Sequence, residues 1–240
     1  IGVKPIHLMS AEERKSSVGK IHELWVDIGA KNRKDAERIV SIGDVATINT
    51  GWIELANGLV ACRAFDNRIG AFIVADVLRL LKNAKLNVSV HAVSTVQEEV
   101  GLRGARTAAF GVDPHIGIAV DVGFATDYPG MNEKIVGEAK AGAGPVLHPG
   151  PTYNPKLLSM LKRTATKLKM KTQLQPEPRG VSTDAYALQM TRAGVAAGLI
   201  SIPTRYIHSP VETIALKDAE NTTKLIAGLL KNMTGREKLR

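Results

Sequence analysis

From Gly58 onward, strand-sized apolar runs alternate with stretches of helical periodicity, and this alternation limits the chain to α/β architectures built on a sheet flanked by helices. The runs Leu59–Phe65, Val88–Val96, Ile116–Val120 and Ala196–Ile202 read as strands. Residues 68–82, 155–169, 183–192 and 216–233 read as helices. Asn154 followed by Pro155 is a strong helix start, and Gly194 stands where a helix-ending glycine belongs. The predicted fold is a three-layer α/β/α sandwich around a mixed sheet.

The first fifty-odd residues have a different texture. Ser10-Ala11-Glu12-Glu13 has the form of a capping box, residues 21–29 read as a strand and residues 34–40 as a short helix. Asn57-Gly58 between WIEL and LVACRAF is a hairpin signal. We expect residues 1–55 to form part of a small β-rich insert domain and residues 56–240 to form the main α/β domain. The chain opens at Ile1 within sequence that already reads as structured, which suggests a longer parent.

At 240 residues and 44% hydrophobic content the chain can bury a sizeable core. Its one cysteine, Cys62, sits in an apolar run, which predicts a buried thiol and favours a reducing, cytoplasmic setting. No stretch approaches the ~20 apolar residues of a membrane-spanning helix. The net charge of +9 is spread over the chain; its one cluster, Lys162 to Lys171, lies largely along a helix whose apolar residues recur on another face. With 4% aromatic residues there is little for nucleobases to stack on, so nucleic acid is not an expected partner.

The chemistry is concentrated where strands end. Asp66 follows the first strand, Glu98 and Glu99 follow the second, Asp121 the third, and His208 comes six residues after the fourth. In open α/β sheets that edge is where ligands bind. Three carboxylates and one imidazole converging there repel one another unless a cation neutralises them. Oxygen and nitrogen donors of this mix suit zinc, cobalt or manganese. One acid of the Glu98-Glu99 pair could hold a cation while the other handles a proton, given a turn at Gly101 and Gly104. Taken singly, each residue has an ordinary role open to it: Asp66 as a helix N-cap, Asp121 as a turn residue, Glu98 and Glu99 as solvated acids.

Other motifs fail. There is no G-x-S-x-G elbow, and Gly142-Ala143-Gly144 lacks the third glycine of a dinucleotide loop. His91 reads as a hydrogen-bonded core histidine, and His7, His22, His115 and His148 have no carboxylate pattern around them.

The segments AFDNRIG (64–70), VQEEVGLRGA (96–105), AVDVG (119–123), VSTDA (181–185) and IPTRYIHSPVE (202–212) resemble the tetrahedral (TET) and glutamyl aminopeptidases, a family in which some members carried the name endoglucanase. Spacings of 33 from Asp66 to Glu99, 22 on to Asp121 and 87 on to His208 agree with it. The resemblance implies a dinuclear metallo-aminopeptidase with two divalent ions, zinc or cobalt. Asp66 would bridge them, Glu99 and His208 would complete one ion, Asp121 would serve the other, and Glu98 would be the general base. Asp184 matches a further acidic position, with a helix start capped by Ser182 as its ordinary role. Peptides would be the substrates, and a homo-oligomer, a dodecamer built from dimers, the assembly. The family also carries an earlier His-x-Asp element that supplies a histidine to the second metal; the first fifty residues resemble the stretch beyond it. A catalytically impaired relative and a glycosidase are the alternatives, the latter weak because paired glycosidase acids have no use for His208 and the further ligands.

Overall fold

The structure, a computed structural model, describes residues 7, 9–10, 24–179 and 183–239. The chain divides into two compact units, Ile1–Thr47 and Ile48–Arg240. In the first, the described residues carry helix α1, Arg33–Ala36, started by Asn32, whose side chain accepts from Asp35 N. The expected helix over 34–40 is therefore shorter and shifted. Of the expected strand over 21–29, residues 21–23 lie outside the described residues and only Trp25 forms a bridge. Of the expected capping box, residues 11–13 also lie outside them.

The second unit runs β1 Ile53–Glu54, β2 Leu59–Cys62, α2 Phe65–Leu81, α3 Arg103–Val112, β3 Ile116–Phe124, α4 Glu133–Val136 and β4 Val146–Leu147. It continues with α5 Pro155–Lys167, β5 Gln173–Leu174, α6 Asp184–Gln189, β6 Ala196–Arg205, β7 Glu212–Ala215 and α7 Leu216–Asn232. The strands form one mixed sheet in the order β1-β2-β7-β6-β4-β5, with β3 parallel to β6 along its other edge. The hairpin at Asn57-Gly58 is present: Ile53 faces Ala61, and both turn residues take positive φ.

Alternation along the central strands produces the layers. Ile118, Val120, Val122, Ile200 and Ile202 point into one cluster with Ile73, Leu157, Leu161 and Leu225 from α2, α5 and α7. Ala119 and Leu199, one residue out of phase, point into a second cluster with Ala185 of α6 and Tyr153. A sheet whose successive side chains both find apolar partners must be covered on both faces. Burying each large aliphatic side chain of the first cluster contributes roughly 1.5–3 kcal/mol. The start of α5 is fixed by Asn154, whose Oδ1 accepts from Lys156 N and Leu157 N at 3.0 Å. Cys62 is buried, as its apolar run predicts.

Three expectations are corrected. Residues 88–96 carry no regular element, although Leu86, Val88 and Val90 pack inward on the core. Alternation reports one-sided burial, and here it occurs without ladder pairing. His91, read as a core histidine, is exposed. Strand β3 runs on through Asp121 to Phe124, so Asp121 lies within a strand, opposite Ser201 of β6, and is no turn residue. The Gly142–Gly144 turn has a structural role: both amides donate to the fully buried Asp218 carboxylate of α7. Among the described residues no helix is long and apolar enough to cross a membrane.

Candidate active site

Three local devices deliver three side chains to one place. The first is the β2–α2 junction. Ala64 takes φ +56°, Asp66 and Asn67 depart from helical geometry, and the peptide between them is cis. Asn67 Nδ2 donates to Val120 O at 2.8 Å, and Asn67 Oδ1 accepts from Gly70 N at 2.8 Å. Asn67 thus takes the capping bond that Asp66 was free to make, and the Asp66 side chain is left for other work.

The second device is the turn after Gln97. Glu98 O accepts from Gly101 N and Leu102 N, and Gly101 takes φ +113°. A Cβ on Gly104 would stand 2.4 Å from Val96 N and O, so only glycine lets α3 begin this close to the preceding chain. The third device is the loop between β6 and β7. Arg205 pairs with Asp127 through two hydrogen bonds, of 2.6 and 3.0 Å, and the Tyr206 ring rests 4.7 Å from that of Tyr128. His208 follows at φ +61°, in the left-handed region.

As a result His208 Nε2 lies 3.1 Å from Asp66 Oδ2 and 3.4 Å from Glu99 Oε1. One donor atom from each of the three falls within 4.8 Å of the others. Asp66 is mostly covered, whereas Glu99 and His208 are open to solvent at 59% and 67% side-chain exposure, so a ligand can reach the group.

The surrounding field is negative. Burial, then Glu99 and Glu212, push the Asp66 carboxyl up to about 6, with His208 opposing. Burial, then Glu99, Asp184 and Asp66, push Glu98 up to about 7, again against His208. Asp121 is pushed up to about 8, chiefly by burial, with Asp66, Glu98 and Asp184 adding and the Val122 amide opposing. Glu98 and Asp121 therefore stand in the field of the same acids as the three-residue group. Asp121 itself joins no donor group among the described residues. Asp184 sits in the first turn of α6, accepts from Thr95 Oγ1 at 2.5 Å and is also raised by burial. Its expected cap, Ser182, lies outside the described residues.

Two further groups were not evident from sequence. Glu212, buried at 2% exposure, accepts from Asp66 N at 2.9 Å and His208 N at 3.0 Å. His148, for which no carboxylate partner was expected, lies with Nδ1 3.2 Å from Glu177 Oε1 and Nε2 2.9 Å from Ser201 Oγ. Tyr153 Oη donates to the other Glu177 oxygen at 3.0 Å. His148 and Ser201 are buried, and their contact links the end of β4 to β6. The only sequence clue to Glu212 was its place in the 202–212 segment.

The donor set fits a divalent cation. Two carboxylates and an imidazole converge, the charges that raise Asp66 are those of the acids Glu99 and Glu212, and a bound cation would let the Asp66 carboxyl ionise.

Comparison with known proteins shows the family. A family model described as M42 glutamyl aminopeptidase matches residues 1–225. Lysyl aminopeptidase of Pyrococcus furiosus is 39% identical over 236 residues, covering 97% of this chain and 66% of that protein. Among solved structures, aminopeptidase APDkam598 from the archaeon Desulfurococcus kamchatkensis superposes with a TM-score of 0.88 at 35% identity, covering 98% of this chain and 64% of that one. The TET1 peptidase of Pyrococcus horikoshii, which can assemble into a tetrahedron or a large octahedral shell, gives 0.77 at 30% identity and covers 97% and 68%. The chain thus spans slightly less than two thirds of the length of the first two relatives. On this combined ground of sequence and structure, the chain belongs to the M42 glutamyl aminopeptidase family.

Proposed function

We propose that this chain carries the metal-binding and catalytic residues of an aminopeptidase that removes single residues from the free N-termini of peptides. The observation that carries the reading is the convergence of Asp66, Glu99 and His208, with Glu98 next to Glu99 on the same tight turn. Asp66, Glu99 and His208 would hold one divalent ion, and Asp66 with Asp121 would serve a second. Zinc is the first choice and cobalt the second. Bound there, such ions supply Lewis-acid polarisation of the scissile carbonyl and a water of lowered pKa.

The protein's own groups do the rest. Glu98 is the general base: it accepts the proton of the attacking water and hands it to the departing amine, so one carboxylate serves both halves of the reaction. Glu99, grouped with Asp66 and His208, stays a ligand. The acids around the site give a free α-amino group a negative setting, which favours a charged N-terminus over a blocked one. A family-type homo-oligomer, of which the Pyrococcus horikoshii shells are an example, is the proposed assembly, with residues 1–55 as part of a dimerisation insert. The single buried thiol fits a cytoplasmic location.

A one-metal, catalytically impaired relative is the second reading, favoured by the position of Asp121 outside the donor group. Mass spectrometry of a short peptide incubated with the zinc-loaded protein separates the two. Stepwise loss of N-terminal residues, abolished by N-acetylation of the peptide and by chelation, is the expected result. Intact peptide alongside one bound ion per chain would select the second reading. Cleavage that survives both treatments would overturn both.

A further inference from the structure

Glu212 is the least accessible carboxylate near the site, and among the described residues it forms no ion pair with a lysine or arginine. It is the first residue of β7 and faces Cys62 of β2. Its two oxygens accept from the backbone amides of Asp66 and His208, at 2.9 and 3.0 Å. Those two residues supply two of the three donor atoms, and they come from segments far apart in the chain, one opening α2 and one in the β6–β7 loop. From this geometry we infer that Glu212 is a positioning residue, whose single carboxylate sets the separation of the Asp66 and His208 backbones and so pre-shapes the cation site.

A purely structural need would be met by less. An amide facing solvent can bond to water, and an acceptor for one buried N–H does not have to be charged. Burying a carboxylate is costly unless its bonds recover the loss, and bonds from amides to an anion are about twice as strong as neutral ones. His208 also stands at a positive φ that a non-glycine residue leaves readily, and Glu212 Oε1 holds its amide there. Partners one bond removed from a metal typically set affinity by about 10–100-fold, because they fix ligand orientation before the ion arrives.

The inference rests on the proposed metal site, and the test keeps the two apart. Glu212→Gln keeps the side-chain volume but offers one acceptor oxygen, so one of the two amides meets an NH2 group. Glu212→Asp keeps the charge but is one methylene short of spanning both amides. Zinc affinity is measured on the full chain by competition with a chromogenic chelator, at a temperature where circular dichroism shows each variant folded. We expect zinc to bind about 10–100-fold more weakly to Glu212→Gln, and Glu212→Asp to be weakened in the same direction. With cobalt in place of zinc, the visible absorption of the bound ion should change in band position or intensity, which a mere loss of stability would not cause. Either folded variant binding zinc as tightly as wild type overturns the positioning role and leaves the metal site standing. Failure of the wild-type chain itself to bind zinc overturns the metal site, and the inference with it.

Discussion

Asp121→Asn should stabilise the metal-free protein, even though it removes a residue assigned to the second ion. Asp121 lies within β3, its Oδ1 accepts from Val122 N at 2.8 Å, and the other charges acting on it are acids. Its pKa rises from 3.8 to about 8 on folding. A carboxyl raised in the folded state favours folding while it holds its proton and loses that advantage as the pH climbs through the folded pKa. Between about pH 4 and pH 8 stability should therefore fall by roughly 1.4 kcal/mol per pH unit from this group alone. From pH 5 to pH 8 that amounts to on the order of 4 kcal/mol, an upper bound that structural relaxation would reduce. Asparagine has nearly the same shape, keeps the Val122 bond and has no proton to lose. Urea denaturation in EDTA at pH 5 and pH 8 measures the difference. The variant should be clearly the more stable at pH 8, with a gap that shrinks toward pH 5. Saturating zinc should erase or reverse the order, since ligand at 100 times its dissociation constant adds about 2.7 kcal/mol to a protein that binds it. A gap independent of pH, or a variant weaker at pH 8 in EDTA, would refute the reasoning.

The donor group and its turn give two further expectations. His208→Ala removes the only imidazole of the group, so zinc affinity by chelator competition should fall by more than the roughly 10–100-fold typical of an outer partner, with the melting temperature in EDTA nearly unchanged. Unchanged affinity would remove His208 from the ligand set. Gly104→Ala would press a methyl group against Val96 N and O, forcing the turn that bears Glu98 and Glu99 to move. Chemical denaturation should show a loss of about 1–3 kcal/mol, and zinc should bind more weakly; a variant matching wild type in both would show that this turn is not tightly set.

Asp66 and His208 could be grouped from sequence because their positions follow from element order: each comes soon after a strand of one sheet, and Glu99 reaches the same place at the end of an apolar run, 88–96, that pairs with no strand. The layers were legible for a similar reason, since the apolar runs at 116–120 and 196–202 are too uniformly apolar for a strand with a wet face. What escaped depends on contacts between distant segments. Nothing near Glu212 indicates that its partners are the amides of Asp66 and His208, and Glu177 meets His148 only after β4 and β5 pair. The Val88–Val96 run misled because one-sided burial leaves the same alternating pattern whether or not a neighbouring strand completes a ladder. Asp66 and Asn67 divided their roles through a single capping bond to Gly70, a choice between adjacent residues that only the backbone geometry reveals.

The central claim is that Glu98 moves the proton while its neighbours hold the metal. The direct measurement is hydrolysis of an aminoacyl p-nitroanilide as the chelated protein is titrated with zinc or cobalt, run in parallel on wild type and Glu98→Gln, with bound metal quantified at every point. The account predicts that wild-type rates rise in step with bound metal, and that Glu98→Gln takes up the same metal yet falls at least about 100-fold in turnover. Wild-type turnover that ignores the metal, or a metal-loaded Glu98→Gln that keeps the wild-type rate, would contradict it.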